Sequence, residues 1–190
     1  MLLLLIKIAA AWLLADFLTG VFHWFEDRYL SEHQSLDFAR GIATDNVLHH
    51  TKPTAMLQST RWENMRSAAL VAWPLAIGLA SIGVPFVIWA GVAFASLGNL
   101  IHRFAHEPKR NLPRWVRGLQ EFGVFISPAH HNAHHRFGRS LIERRCASVA
   151  YCPMTDFVNP VLDRFRVWDR AEAILRWVGI KPFSREGCPE

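Results

Sequence analysis

Nine of the ten histidines in this 190-residue chain fall into four clusters. His23 stands in FHWFED, His49 and His50 are adjacent in VLHHTKP, and His102 and His106 frame HRFAH. His130, His131, His134 and His135 make up HHNAHH. A spacing of three or four places side chains on one face of a helix. It recurs at 102/106, 130/134, 131/134 and 131/135, so one helical turn can aim several imidazoles at a common point. His23 and Asp27 share it too. Asp16 lies on the same stripe, too far along the axis to bond His23 but able to orient a histidine of another helix, as outer carboxylates do for metal-bound imidazole.

Neutral imidazole is the commonest metal ligand. A structural zinc site takes four ligands, typically with cysteine. Cys146, Cys152 and Cys188 form no metal-type pair and read as reduced, structural thiols. Nitrogen-rich ligation with some carboxylate suits iron, copper, zinc or nickel. Nine imidazoles could fill two metals at four or five each and leave positions for oxygen, so a dinuclear iron site is the natural reading. Within HHNAHH, His130 is the candidate for an outer role. His33, in the polar stretch SEHQS, reads as a surface residue.

The elements that must hold these histidines are apolar. Hydrophobic residues make up 51% of the chain and charged residues 19%, which excludes a disordered chain. Met1–Trp24 is long enough to span a bilayer, with Lys7 free to snorkel. No charged leader precedes it, so it reads as a retained helix rather than a signal peptide. Ser67–Ile101 carries no charged residue over 35 positions. Gly83 and Pro85 break it into a hairpin. Spans are expected at about 2–24, 66–82 and 85–102. Leu119–Ile126 is too short to span and reads as interfacial or re-entrant. In the tail, 161–168 and 171–178 look amphipathic and helical.

Of the 21 Lys and Arg, only Lys7 precedes the end of the first run, and the hairpin turn has none. The positive-inside rule then puts 25–65 and 103–190 in the cytoplasm. The net charge of +5 thus reads as topology and lipid contact, not as a nucleic-acid footprint. Every histidine cluster falls at or beyond a cytoplasmic helix end. The expected fold is a single all-α domain over 1–190: an integral membrane helical bundle of about three spans, with a cytoplasmic histidine-rich helical cap.

The motifs DFLTGVFHWFED, LHHTKP, NLIHRFAH, SPAHHNAHH and YCPMTDFVNPVLD, in this order, resemble the Kua-type lipid desaturases. That family includes plasmanylethanolamine desaturase, the CarF protein and a chloroplast palmitate desaturase. HNAHH and HRFAH are also similar to the HxxHH and HxxxH boxes of membrane fatty-acid desaturases. The resemblance runs from about Asp16 to Gly179. It implies that His23, His49, His50, His102, His106, His131, His134 and His135 hold two irons, with His130 and Asp27 as further candidates. It implies an oxidoreductase that uses O2, and electrons from a cytochrome b5 or ferredoxin, to desaturate a plasmanylethanolamine-type or fatty-acyl lipid chain. Lys109, Arg110, Arg114 and Arg117 offer a basic docking face for that donor. Trp24, Phe25, Phe104 and Phe137 could line the lipid's way in. A hydroxylase on the same scaffold differs only after the first hydrogen abstraction. A metal carrier would need ionisable groups across the bilayer depth, which the charge-free hairpin lacks.

Overall fold

The computed structural model describes residues 1–136 and 149–183. Phe137, Cys146 and Cys188 lie outside the described residues. Among those described, all regular structure is helical. The helices are α1 (Leu2–Tyr29), α2 (Asp37–Thr51), α3 (Arg61–Ser81), α4 (Phe86–Ala95), α5 (Gly98–His106), α6 (Arg114–Glu121), α7 (Pro128–Arg136), α8 (Val158–Arg164) and α9 (Val167–Trp177).

At a rise of 1.5 Å per residue, the 28 residues of α1 extend about 42 Å, more than a hydrocarbon core needs. Its buried positions form a stripe through Ala11, Ala15, Asp16, Gly20, His23, Trp24 and Asp27, with the three- and four-residue steps of one helical face. Small residues come first, and the polar end of the stripe reaches the histidines. The outer face stays apolar and uncovered, as at Leu3, Leu5, Leu13 and Phe22.

α4 and α5 run parallel to α1. A Cβ at Gly91 would lie 2.9 Å from the Leu14 side chain and 3.2 Å from the Ala11 carbonyl, and one at Gly98 would lie 2.6 Å from Thr19 Cγ2. Only glycine lets helices approach this closely. α3 runs back the other way. Its start is fixed by a capping box in which Thr60 accepts from Glu63 N while Glu63 accepts from Thr60 N. Leu70, Val71 and Ile77 on α3 are exposed, a face that fits lipid better than water.

Three expected boundaries move. The first helix runs on to Tyr29, which places Asp27 one turn past His23. The second begins at Arg61, at its capping box, not at 66. The third expected span, 85–102, is two helices bent by 46° at a short break. Ser96 and Gly98 flank that break, a common cause of kinks, and the bend turns His102 and His106 inward. By length and composition, α1 alone among the described residues is a candidate span, with the bent α4–α5 pair a second if taken as one.

Residues 119–126 do not form a separate surface segment. α6 ends at Glu121, and Phe125 and Ile126 enter a core with Ile101, Phe104, Val116 and Met154. Trp24 and Phe104, suggested above as lipid-facing, are buried in core clusters, whereas Phe25 is exposed and stacked on Tyr29. Glu172 ties α9 to α1: its carboxylate takes two hydrogen bonds from Arg28 at 2.9 and 3.0 Å.

Candidate metal centre

Four helices deliver the histidines to one end of the bundle. α1 brings His23 and Asp27, α2 brings His49 and His50, α5 brings His102 and His106, and α7 brings His131, His134 and His135. Ser127 caps α7, its hydroxyl accepting from His130 N, while Ser127 N donates to Asp156 Oδ1 at 2.9 Å. α5 is held by Arg103, whose guanidinium donates to the carbonyls of Met56, Leu57 and Ser59.

The ligand atoms sort into two neighbouring groups. His49, His102, His106, His131 and His135 form one, and His23, Asp27, His50 and His134 the other, with one atom from each residue within 4.8 Å of the rest of its group. The adjacent histidines 49 and 50 divide between the groups because neighbours on a helix point about 100° apart. HHNAHH divides likewise: His131 and His135 join the first group and His134 the second. The groups touch, with ring centroids 5.3 Å apart for His50 and His135, and 5.5 Å apart for His23 and His102.

Each group has a geometry that a cation would resolve. In the first, His131 Nε2 lies 2.8 Å from His102 Nε2, 2.8 Å from His106 Nε2 and 2.9 Å from His135 Nε2. A neutral imidazole nitrogen has one proton or one lone pair, so it cannot satisfy three partners. A shared ion takes all these lone pairs at once. Both nitrogens of His49 are buried without a partner among the described residues.

In the second group, His23 Nδ1 lies 3.1 Å from the Tyr151 carbonyl and His134 Nδ1 lies 2.9 Å from the Val149 carbonyl. A carbonyl only accepts, so each Nδ1 carries the proton and each Nε2 presents a lone pair. Those lone pairs face the Asp27 carboxylate, at 4.0 Å for His23 and 3.2 Å for His134. Acceptors facing an acceptor in a buried place call for a cation between them. Asp27 Oδ1 also accepts from Asn46 Nδ2 at 2.6 Å and lies 2.9 Å from His50 Nε2. Burial, and then neighbouring imidazoles, push His49, His131 and His135 below the ordinary histidine value, His135 to about 2. All three are therefore neutral near pH 7, the state that binds metal.

Two residues expected at the site stand elsewhere. His130 is half exposed, with Nδ1 2.9 Å from Asp156 Oδ2, and belongs to neither group. Asp16 orients no histidine. Fully buried, it accepts from Met154 N at 2.7 Å and Thr155 Oγ1 at 2.6 Å, and so anchors the 151–157 loop beside the site. Sequence reasoning missed Asn46 and the two carbonyls. Asn46 sits four residues before His50 on one helical face and could have been found by that spacing; a backbone carbonyl leaves no such signal. Cys152 is free and buried, and burial pushes its thiol up.

Residues 12–185 match the model of the lipid desaturase domain. A probable fatty acid desaturase of Acanthamoeba polyphaga mimivirus is 29% identical over 191 residues, which covers 95% of this chain and 87% of that protein. The chloroplastic fatty acid desaturase 4-like 2 of Arabidopsis thaliana is 30% identical, over 92% of this chain and 61% of that protein. Plasmanylethanolamine desaturase 1 of Mus musculus is 24% identical, over 95% of this chain and 68% of that protein. The chain thus spans about three fifths of the plant relative and two thirds of the mouse one. No solved structure matches it.

Proposed function

This chain belongs to the lipid desaturase family, and from that premise we propose that it is a membrane oxidoreductase that introduces a double bond into a lipid chain at a di-iron centre. One observation carries the reading: eight histidines and Asp27 converge in two touching groups, and among the described residues both nitrogens of His49 and Nε2 of His23 and of His134 are buried there without a hydrogen-bond partner. His49, His102, His106, His131 and His135 would hold one iron, and His23, Asp27, His50 and His134 the other. The bound pair supplies the activation of O2 that removes two hydrogens from adjacent carbons.

The chain's own part is position and exclusion of water. The four helices hold imidazole nitrogens at fixed points, and Asn46 orients the Asp27 carboxylate. The core around Ile101, Phe104 and Met154 would keep water from the outer side of the site. The exposed apolar faces of α1 and α3 lie in the bilayer, from which the substrate chain reaches the site directly. The hairpin of α3 with α4–α5 completes three crossings, with the histidine end in the cytoplasm beside the Lys- and Arg-rich segments. Lys109, Arg110 and Arg114 are exposed there and, with Arg117, form a basic face for an acidic electron donor of cytochrome b5 or ferredoxin type. Relatives named for both fatty acids and plasmanylethanolamine support a fatty-acyl or ether-lipid chain as substrate.

The test is lipid mass spectrometry of cells grown in air with the wild-type chain or with His131→Ala. The expected result is a lipid class two hydrogens lighter with the wild type only. A product with an added oxygen atom instead would make the enzyme a hydroxylase, and identical lipid profiles would overturn the proposal.

A further inference from the structure

Two of the carbonyls at the centre belong to one tight turn. Val149 O faces His134 and Tyr151 O faces His23, two rings whose centroids lie 4.6 Å apart. Between them, Ala150 is buried and has φ +58°, a left-handed conformation that residues other than glycine seldom adopt. Such strain persists only where the surroundings over-determine it. Here they do. Ala150 N donates to both carboxylate oxygens of Asp163 at 3.2 Å. Two residues on, Cys152 N donates to Asn159 Oδ1 at 2.8 Å, while Asn159 Nδ2 donates back to Cys152 O at 2.7 Å. Both anchors come from α8.

We infer that the 149–151 turn is a tautomer clamp for half of the centre, and that Asp163 and Asn159 are its positioning residues. By accepting from Nδ1 of both rings, the turn keeps the Nε2 lone pairs of His23 and His134 turned toward Asp27. A ring free to take the other tautomer would present a proton to the ion instead. In the five-histidine group, Nδ1 of His49, His131 and His135 find no partner among the described residues. Loosening the turn therefore weakens one metal and spares the other. The inference rests on the proposed two-metal centre for its consequence, but not for the tautomers.

The experiment has two readouts. The first is the long-range 1H–15N spectrum of histidine-labelled, metal-free protein in detergent. His23 and His134 are expected as Nδ1–H tautomers in the wild type, and as a mixture in Asp163→Leu. The second is metal titration. Asp163→Leu is expected to weaken one of two bound metals by about 10- to 100-fold, the range for outer hydrogen-bond partners, and to leave the other unchanged. Asp163→Asn keeps an acceptor for Ala150 N and is expected to restore most of the loss. An Nε2–H tautomer at either ring of the wild type would overturn the clamp, and that spectrum requires no variant to fold. So would an Asp163→Leu protein with unaltered tautomers and both metals at full affinity, or one that loses both metals equally. Correct wild-type tautomers in a protein that takes up no metal would support the clamp and remove the di-iron proposal alone.

Discussion

The two halves of the centre are built on opposite plans. The five-histidine half takes its order from three helices, and its imidazoles meet each other nitrogen to nitrogen around His131. The half around Asp27 takes its order from partners outside the group: the Tyr151 and Val149 carbonyls for two histidines and the Asn46 amide for the carboxylate. The first is neutral in its ligands, and the second carries one carboxylate. Helix geometry alone can therefore aim imidazoles when several share a face. A lone histidine on α1 and a carboxylate need outside hydrogen bonds to choose a tautomer and a direction.

The largest expected effect falls on the helix-ordered half. His131 Nε2 is its meeting point, so His131→Ala should remove that metal and abolish turnover, a loss beyond about 100-fold per folded molecule. Product formed per mole of folded protein, alongside bound metal, measures it. Near-normal turnover would take His131 out of the centre.

Asp27→Asn comes next. It removes the only carboxylate from its half while keeping the shape, and should release one metal while the five-histidine half stays loaded. Elemental analysis that finds both metals, or neither, would break the contrast between the halves. Asn46→Leu is a milder form of the same test. It frees the carboxylate without deleting it, and about a 10-fold weaker affinity for one metal is expected.

The smallest effect belongs to His130→Ala. The imidazole is half exposed and paired with Asp156 outside both groups, so metal content should not change, and stability should fall by no more than about 1 kcal/mol. Loss of a metal in this variant would show that the two groups are wrongly drawn.

Much of this arrangement was legible in the sequence. The three- and four-residue spacings of HRFAH and HHNAHH name side chains that the helices do bring together, and Gly83, with φ +78°, turns the hairpin where the apolar run is broken. What was not legible depends on long-range partners. Asp16 reads as an orienting carboxylate from its stripe on α1, yet its partners are Met154 and Thr155, 138 and 139 positions away. His130 is singled out for an outer role, but its partner, Asp156, lies 26 positions away and leaves no mark in the spacing of HHNAHH. The bend at 96–97 follows from local chain geometry that a uniformly apolar run conceals.

The most direct test of the two-half centre is the number of transition-metal ions per folded chain, measured by elemental analysis on protein made in iron-replete medium. Two ions per chain are expected, with iron as the native metal. A single ion, or none, in fully folded protein would contradict it.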